Sequence, residues 1–355
     1  MTNPIEPIPA TLALAPFGDA LLRARVQATL DAKTKPRGAL GRLEALALQL
    51  ALSQRAELPQ LHCPQLVVFA ADHGIATQGV SAYPAAVTAQ MVLNFLAGGA
   101  AVSVLARQHG IALTVADCGV AADFAPHQAL AQLKVHGAEH GTADASTGPA
   151  MQPAQCLAAM QNGRQLVAAL PGNVLLLGEM GIANSSAAAL LMARLTGEPL
   201  SVCVGRGTGL DDTALAHKQA VLQRALAVNA DASTPLQALA ALGGLEIATM
   251  VGAVQQAAAA GRVVVVDGFI TTAAVAVAAA LQPALLDRCV FAHCAQEAGH
   301  ARWLQHLGVL PLLDLDLRLG EGSGAALAWP LLESACRMLA EMASFESAGV
   351  SRSST

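Results

Sequence analysis

The chain has 355 residues, enough for one large or two ordinary domains with a substantial core. A net charge of -5 and an aromatic fraction of 3% exclude a basic, base-stacking surface for nucleic acid. Apolar residues make up 54% and charged residues 13%, with a mean hydropathy of +0.49, so the chain either enters a membrane or buries an unusual share of itself.

Residues 1–9 lack a basic segment followed by an apolar core, which argues against a secretory signal. Residues 18–30 and 41–53 have helical spacing, and the turn between them carries Lys33, Lys35, Arg37 and Arg42, either an anion-binding cluster or a solvated basic loop. Residues 65–71 read as a buried strand whose tip carries Asp72 and His73, an acid-base pair or a turn. Helices over 86–96 and 99–109 follow, separated by Gly98 and Gly99, and then a second buried strand over 111–117. Residues 120–150 form a long connection, and 156–170 are helical. A third buried strand, 173–177, runs into Gly178-Glu179-Met180-Gly181-Ile182-Ala183-Asn184-Ser185-Ser186. Such a turn at a helix start exposes backbone N–H groups that can hold a phosphate, or is simply capped by Asn184 or Ser185.

Residues 200–204 read as a strand before a second glycine loop, Gly205-Arg206-Gly207-Thr208-Gly209, with Asp211 as N-cap of a helix over 212–228. Lys218 lies ~10 Å along that helix and leans toward its N-terminus, within reach of an anion at the loop. Helices over 236–242 and 244–260 precede a strand at 262–266, closed by Asp267-Gly268-Phe269, with a helix from Thr271. The most apolar window, 263–281, is interrupted by Asp267, Gly268, Thr271 and Thr272, so no membrane span is expected and surplus apolar surface is left for an oligomer. A short strand, 289–292, leads to His293, Glu297 and His300, whose spacing would share one helical face and could hold a metal, although Gly299 disfavours the helix. Asp211-Asp212 could likewise hold magnesium, with capping the simpler reading. Near the end, Gly320-Glu321-Gly322-Ser323-Gly324 precedes a helix over 325–342, and a partly disordered tail is expected from Ser344. Glycine on both sides lets a substrate approach Glu321, which suits a general base; the alternative is a helix-dipole role. Seven scattered cysteines without a CxxC pair suggest reduced thiols and a cytoplasmic location.

Several segments together resemble one family. They are Lys35-Pro36-Arg37-Gly38-Ala39-Leu40-Gly41-Arg42-Leu43-Glu44, Ala71-Asp72-His73-Gly74, Thr88-Ala89-Gln90-Met91, Gly178-Glu179-Met180-Gly181-Ile182, Gly205-Arg206-Gly207-Thr208-Gly209, Val265-Val266-Asp267-Gly268-Phe269 and Gly320-Glu321-Gly322-Ser323-Gly324-Ala325. In order and across nearly the whole chain, they are similar to nicotinate-nucleotide:dimethylbenzimidazole phosphoribosyltransferases, the CobT family. The resemblance implies an α/β fold, a doubly wound, mainly parallel Rossmann-like sheet over 61–325, with a smaller helical domain from 1–60 and 326–355, assembled as a homodimer. It implies transfer of 5-phosphoribose from nicotinate mononucleotide to 5,6-dimethylbenzimidazole, with neither cofactor nor metal, for the lower ligand of cobalamin. By the same resemblance Glu321 is the base, and Ser81, Tyr83 and Gln90 line the base pocket. Glu179, Met180, Gly181, Ile182, Asn184, Ser185, Gly205, Arg206, Gly207, Thr208, Gly209 and Lys218 would hold the nucleotide. Ala183 and Ala295 depart from the family's usual Gly and Ser, and Pro84 lies in a segment that varies. A non-catalytic nucleotide-binding regulator and a metal-dependent hydrolase are the competing functions.

Overall fold

The computed structural model describes residues 9–206, 209 and 211–351. In chain order the helices and strands are α1 (Ala20–Ala32), α2 (Arg42–Gln54), β1 (Gln65–Ala71), α3 (Ala86–Leu96), α4 (Ala101–Gln108), β2 (Ala112–Gly119) and β3 (Leu130–Gln132). Next come α5 (Pro153–Ala169), β4 (Val174–Met180), α6 (Asn184–Thr196), α7 (Leu200–Cys203), α8 (Asp212–Val228), α9 (Pro235–Leu242) and α10 (Leu245–Ala259). The chain ends with β5 (Val263–Val266), α11 (Phe269–Leu281), β6 (Cys289–Phe291), α12 (His300–Leu307), α13 (Ser323–Glu341) and α14 (Phe345–Ala348).

The six strands form one parallel sheet in the order β3-β2-β1-β4-β5-β6. This is a doubly wound Rossmann-type arrangement, and its order reverses between β1 and β4. Both faces are covered, so the strands are apolar throughout, but successive side chains still point to opposite layers. Val67, Phe69, Leu175, Leu177, Val264 and Val266 join the layer of α5, α6 and α8 to α11. Leu66, Val68, Val174, Leu176, Val263 and Val265 join the layer of α1 to α4 and α13.

Two glycines set how closely the first layer packs. A Cβ on Gly163 of α5 would overlap the backbone of Thr249, and one on Gly252 of α10 would overlap the Met160 carbonyl. The two helices therefore touch backbone to backbone. Gly163→Ala gains ~1 kcal/mol of helix propensity, but forcing these backbones apart costs ~1 to 3 kcal/mol. A net loss of stability is expected in urea denaturation, and a variant as stable as the parent would disprove the close contact.

Several expectations are corrected. Residues 200–204 contain the helical turn α7 in place of a strand. The long connection contains edge strand β3. The segment after Ser344 is not a loose tail through 351, because Ser344 caps α14 and residues 352–355 lie outside the described residues. The basic cluster at 33–42 holds structure: Lys33 Nζ donates to the Met342 carbonyl at 2.6 Å, Lys35 pairs with Glu44 at 2.9 Å, and Arg42 donates to the carbonyls of Leu310 and Pro311. The stretch Ala86–Gln108 has the length and hydropathy of a membrane span, but the backbone breaks it between α3 and α4, where Gly98 has φ +78.

Candidate active site

At the carboxyl ends of β1, β4, β5 and β6, beside the point where the sheet order reverses, lies a cleft with about 850 Å³ of empty volume, open mouth included. Ligands of open α/β sheets bind at such crevices. Its walls bring together three segments far apart in the chain: the turn from Glu179 to Ser185, the Lys218 side chain of α8, and the turn from Arg318 to Glu321. Gly268, Phe269, His293, Ala295 and Glu297 close the remaining side.

Glu321 sits in a run of three left-handed residues, with φ of 77 at Gly320, 66 at Glu321 and 95 at Gly322. Glycine adopts this conformation freely, whereas for a residue with a Cβ it costs roughly 1 to 2 kcal/mol. Gly178 makes room for the turn, because a Cβ there would overlap the Glu321 carbonyl. The carboxyl is buried and its Oε2 has no hydrogen-bond partner among the described residues. Burial first, and the neighbouring Asp267 second, push its pKa up to about 7, opposed by the backbone N–H of Val102 at the start of α4. A buried carboxyl with one unpartnered oxygen that titrates near neutrality at the wall of a cleft is suited to accept a proton.

Glu179, the penultimate residue of β4, is held by a hydrogen bond from the Asn184 side chain and lies next to the Glu321 backbone N–H, at 3.4 Å. Burial, then Asp267 and Glu246, raise it to about 8. On the opposite wall Lys218 is 2% exposed, and its ammonium donates to Ser185 Oγ at 3.0 Å. Burial lowers Lys218 to about 8, with Glu297 opposing. Arg206 and Arg318 add positive charge at the rim, and Arg206 also pairs with Asp212. Glu179 and Glu321 thus stand together, while Lys218, Arg206 and Arg318 bring an excess of cations with Glu297 among them, an arrangement for a ligand with an anionic group and a centre that loses a proton or gains positive charge.

Of the residues expected from sequence, Ser81, Glu179, Met180, Gly181, Ile182, Asn184, Ser185, Arg206, Lys218 and Glu321 line this one cleft. Gly205 lies just behind it, against Glu297 and Ala298. Gly209 is in an exposed turn, while Gly207 and Thr208 lie outside the described residues. Tyr83 and Gln90 are exposed and do not reach the cleft wall within a single chain. Ala183, the departure from the family's glycine, is the left-handed N-cap of α6 with φ 75, so the strain that a glycine would avoid is present. Neither Asn184 nor Ser185 is the cap.

Two other sequence readings change. Asp72 and His73 do not form an acid-base pair: Asp72 accepts from the Ala121 N–H at 2.8 Å, while buried His73 pairs with Glu246 at 2.7 Å, behind Gly181. Burial works against protonation of His73, but Glu246 and Asp72 outweigh it and hold its pKa above the usual value. His293, Glu297 and His300 do not share a helical face, because helix α12 begins only at His300. His300 is neutral, lowered to about 4 mainly by burial and also by His293; its Nδ1 accepts from the Ala295 N–H, so Nε2 carries the hydrogen toward Thr272. Among the described residues, no group of three or more His, Cys, Asp or Glu has a metal-binding arrangement. Sequence reasoning gave no role to Arg318, which lines the cleft, or to Asp267 beside Glu321, and read His293 on the cleft wall only as a metal ligand. Asp267 carried a usable signal, an acid at the end of a buried apolar strand, the same one that drew attention to Asp72.

A family model described as phosphoribosyltransferase matches residues 16–350. The nicotinate-nucleotide--dimethylbenzimidazole phosphoribosyltransferase of Variovorax paradoxus is 62% identical over 352 residues, covering 99% of each chain. The enzyme of the same name from Cupriavidus necator is 58% identical over 344 residues, covering 96% of this chain and 98% of its own. The crystal structure of CobT from Thermus thermophilus superposes with a TM-score of 0.89 at 43% identity, over 94% of this chain and 100% of that one.

Proposed function

The chain belongs to the nicotinate-nucleotide:dimethylbenzimidazole phosphoribosyltransferase family, and from that premise we propose how its cleft carries out the reaction. The enzyme moves the 5-phosphoribosyl group from nicotinate mononucleotide to 5,6-dimethylbenzimidazole, a step of cobalamin biosynthesis. The bond from ribose C1 to the pyridinium nitrogen breaks and its electron pair leaves with nicotinate. A benzimidazole nitrogen forms the new bond to C1, and the proton on the other ring nitrogen passes to Glu321.

The observation that carries this assignment is the buried Glu321 carboxyl at the cleft, with Oε2 unpartnered among the described residues and its pKa pushed up to about 7. Below that pH it is protonated and cannot act as the base. At the other end, Lys218 and Ser185, with the Gly205 to Gly209 loop and Arg206, take the phosphate of the nucleotide. Glu179, Met180, Gly181, Ile182 and Asn184 line its ribose and ring side, and Ser81 begins the base pocket. The test is nicotinate release from nicotinate mononucleotide with and without 5,6-dimethylbenzimidazole. Release that depends on the acceptor is expected; its absence with any azole or purine acceptor would refute the assignment.

Tyr83 and Gln90 belong to this pocket only if a second surface covers them, and a homodimer would supply one. No Asp, Glu, Lys, Arg or His lies between His73 and Arg107. Tyr83, Ala86, Gln90, Leu93, Ala97, Ala101 and Val104 are exposed along this stretch, a larger apolar face than isolated surface residues account for. Leu93→Glu should convert a dimer to monomers in analytical ultracentrifugation, and an unchanged sedimentation coefficient would rule this face out. The ties between Lys33 of the N-terminal helices and Met342 after α13 support the smaller chain-end unit, and seven free cysteines support a cytoplasmic setting.

A further inference from the structure

Asp267 follows β5 and is 1% exposed. Its carboxylate accepts two backbone hydrogen bonds, from Gly322 N–H at 3.2 Å and from Ala325 N–H at 2.9 Å. These donors belong to the N-cap and first turn of α13, which has no side-chain cap of its own. The strained residue immediately before that cap is Glu321. A helix start satisfied from another strand fixes the turn that precedes it, because the first-turn N–H groups otherwise need water or a local cap. Here both oxygens of one acid are committed to the two sides of a single turn.

The same carboxylate lies among the groups that decide how Glu321 titrates. Glu321 faces Asp267 from β5, Glu179 is next to its backbone on β4, and the Val102 N–H approaches from α4. Behind Asp267 are His293, whose Nε2 is 3.6 Å from Oδ1, and His300 on α12. Behind Glu179 stand Glu246 and its partner His73. We infer that Asp267 is a positioning residue for the base: it pins the Glu321 turn by capping α13 from the end of β5, and it holds a second acidic group beside the Glu321 carboxyl. A base that ionises near 7 is stronger than a free carboxylate yet still available at neutral pH, which is the compromise that proton transfer favours.

This inference rests on the assignment of Glu321 as base, and the test separates the two. The pH dependence of kcat/KM is measured for wild type, Asp267→Asn and Asp267→Ser, with folding checked by circular dichroism. Both substitutions are neutral and each keeps an acceptor for one N–H. The acidic limb of the profile is expected to move to lower pH by on the order of one pH unit, with a fall in the plateau value of kcat and a smaller change in KM for nicotinate mononucleotide. A wild type without acceptor-dependent activity would remove the assignment itself. An active wild type whose limb coincides with that of the folded variants would overturn the role of Asp267 and leave the assignment standing. Failure of both variants to fold would make Asp267 a structural cap and overturn the inference as well.

Discussion

Glu321→Gln is expected to lower kcat by ~10² to 10⁴, the range over which a positioned general base contributes, while nicotinate mononucleotide binds as before. The amide keeps the shape of the carboxyl but cannot take the benzimidazole proton. In the wild type kcat/KM should rise with pH through about 7, where the buried carboxyl ionises, and this limb should vanish from the residual activity of the variant. Stability should change in the opposite direction. Glu321 is raised from its ordinary value of 4.5 to about 7, so folding favours the protonated form. The stability associated with that form is present below pH ~4.5 and is lost as pH rises to ~7, by up to about 3 kcal/mol. A neutral glutamine avoids this loss. At pH 8 the variant should therefore melt at or above the wild-type temperature. Retained turnover would remove Glu321 from the mechanism, and a lower melting temperature at pH 8 would contradict a destabilising buried carboxylate.

That trade also accounts for the backbone. The turn holds a non-glycine residue at φ 66 between two glycines, packed against Gly178. Local strain and an unfavourable buried charge coincide at one residue, and such strain persists only where the surroundings impose it.

Much of this fold was readable because the chain marks its own boundaries. Strand β1 begins after Pro64 and ends at Ala71, just before Asp72, and α8 begins after Asp211, whose side chain accepts from the Ala214 N–H at 2.8 Å. These elements lie where sequence spacing put them, within a residue. The edge strand β3 was not readable: it is three residues long, incompletely buried, and defined only by its pairing with β2. Residues 200–204 misled for a different reason. A short, mostly apolar run suits a buried strand or a buried helical turn equally, and only the path of the chain after α6 decides.

The site was legible where chemistry is local. Glu321 in its glycine collar and the Glu179 to Ser185 turn each carry a recognisable pattern on a few consecutive residues. His293 and Arg318 acquire their setting from strands and loops that meet only in three dimensions, so no spacing along the chain announces them, and the strand end that marks Asp267 does not reveal the turn it caps. His293 shows this most clearly: its intervals to Glu297 and His300 match a helix, yet the backbone from 293 to 299 is not helical. Tyr83 and Gln90 are a further case, since exposed residues on an uncharged face become part of a pocket only when another surface is laid over them.

Lys218→Met carries the second large effect and tests the opposite end of the cleft. Methionine preserves most of the volume of a side chain that is 2% exposed, so the substitution removes charge without opening a cavity. A hydrogen bond to a charged group is worth ~1.5 to 3 kcal/mol, which corresponds to a loss of ~10- to 150-fold in affinity for nicotinate mononucleotide. The effect should fall on KM more than on kcat, because the phosphate does not change during the reaction. The pH dependence gives a sharper test. Burial lowers the free ammonium to about 8, whereas a phosphate monoester completes its ionisation near pH ~6. Between pH 7 and 9 the lysine therefore titrates while the ligand does not, and wild-type affinity measured calorimetrically should fall as pH rises through about 8. The methionine variant should bind weakly and equally at both ends of this range. If it bound as tightly as wild type at pH 7, the ammonium would have no part in holding the phosphate. If it kept the wild-type pH dependence, the group losing its proton near pH 8 would be another one in the cleft, and Glu179, raised to about 8 by burial, would take its place.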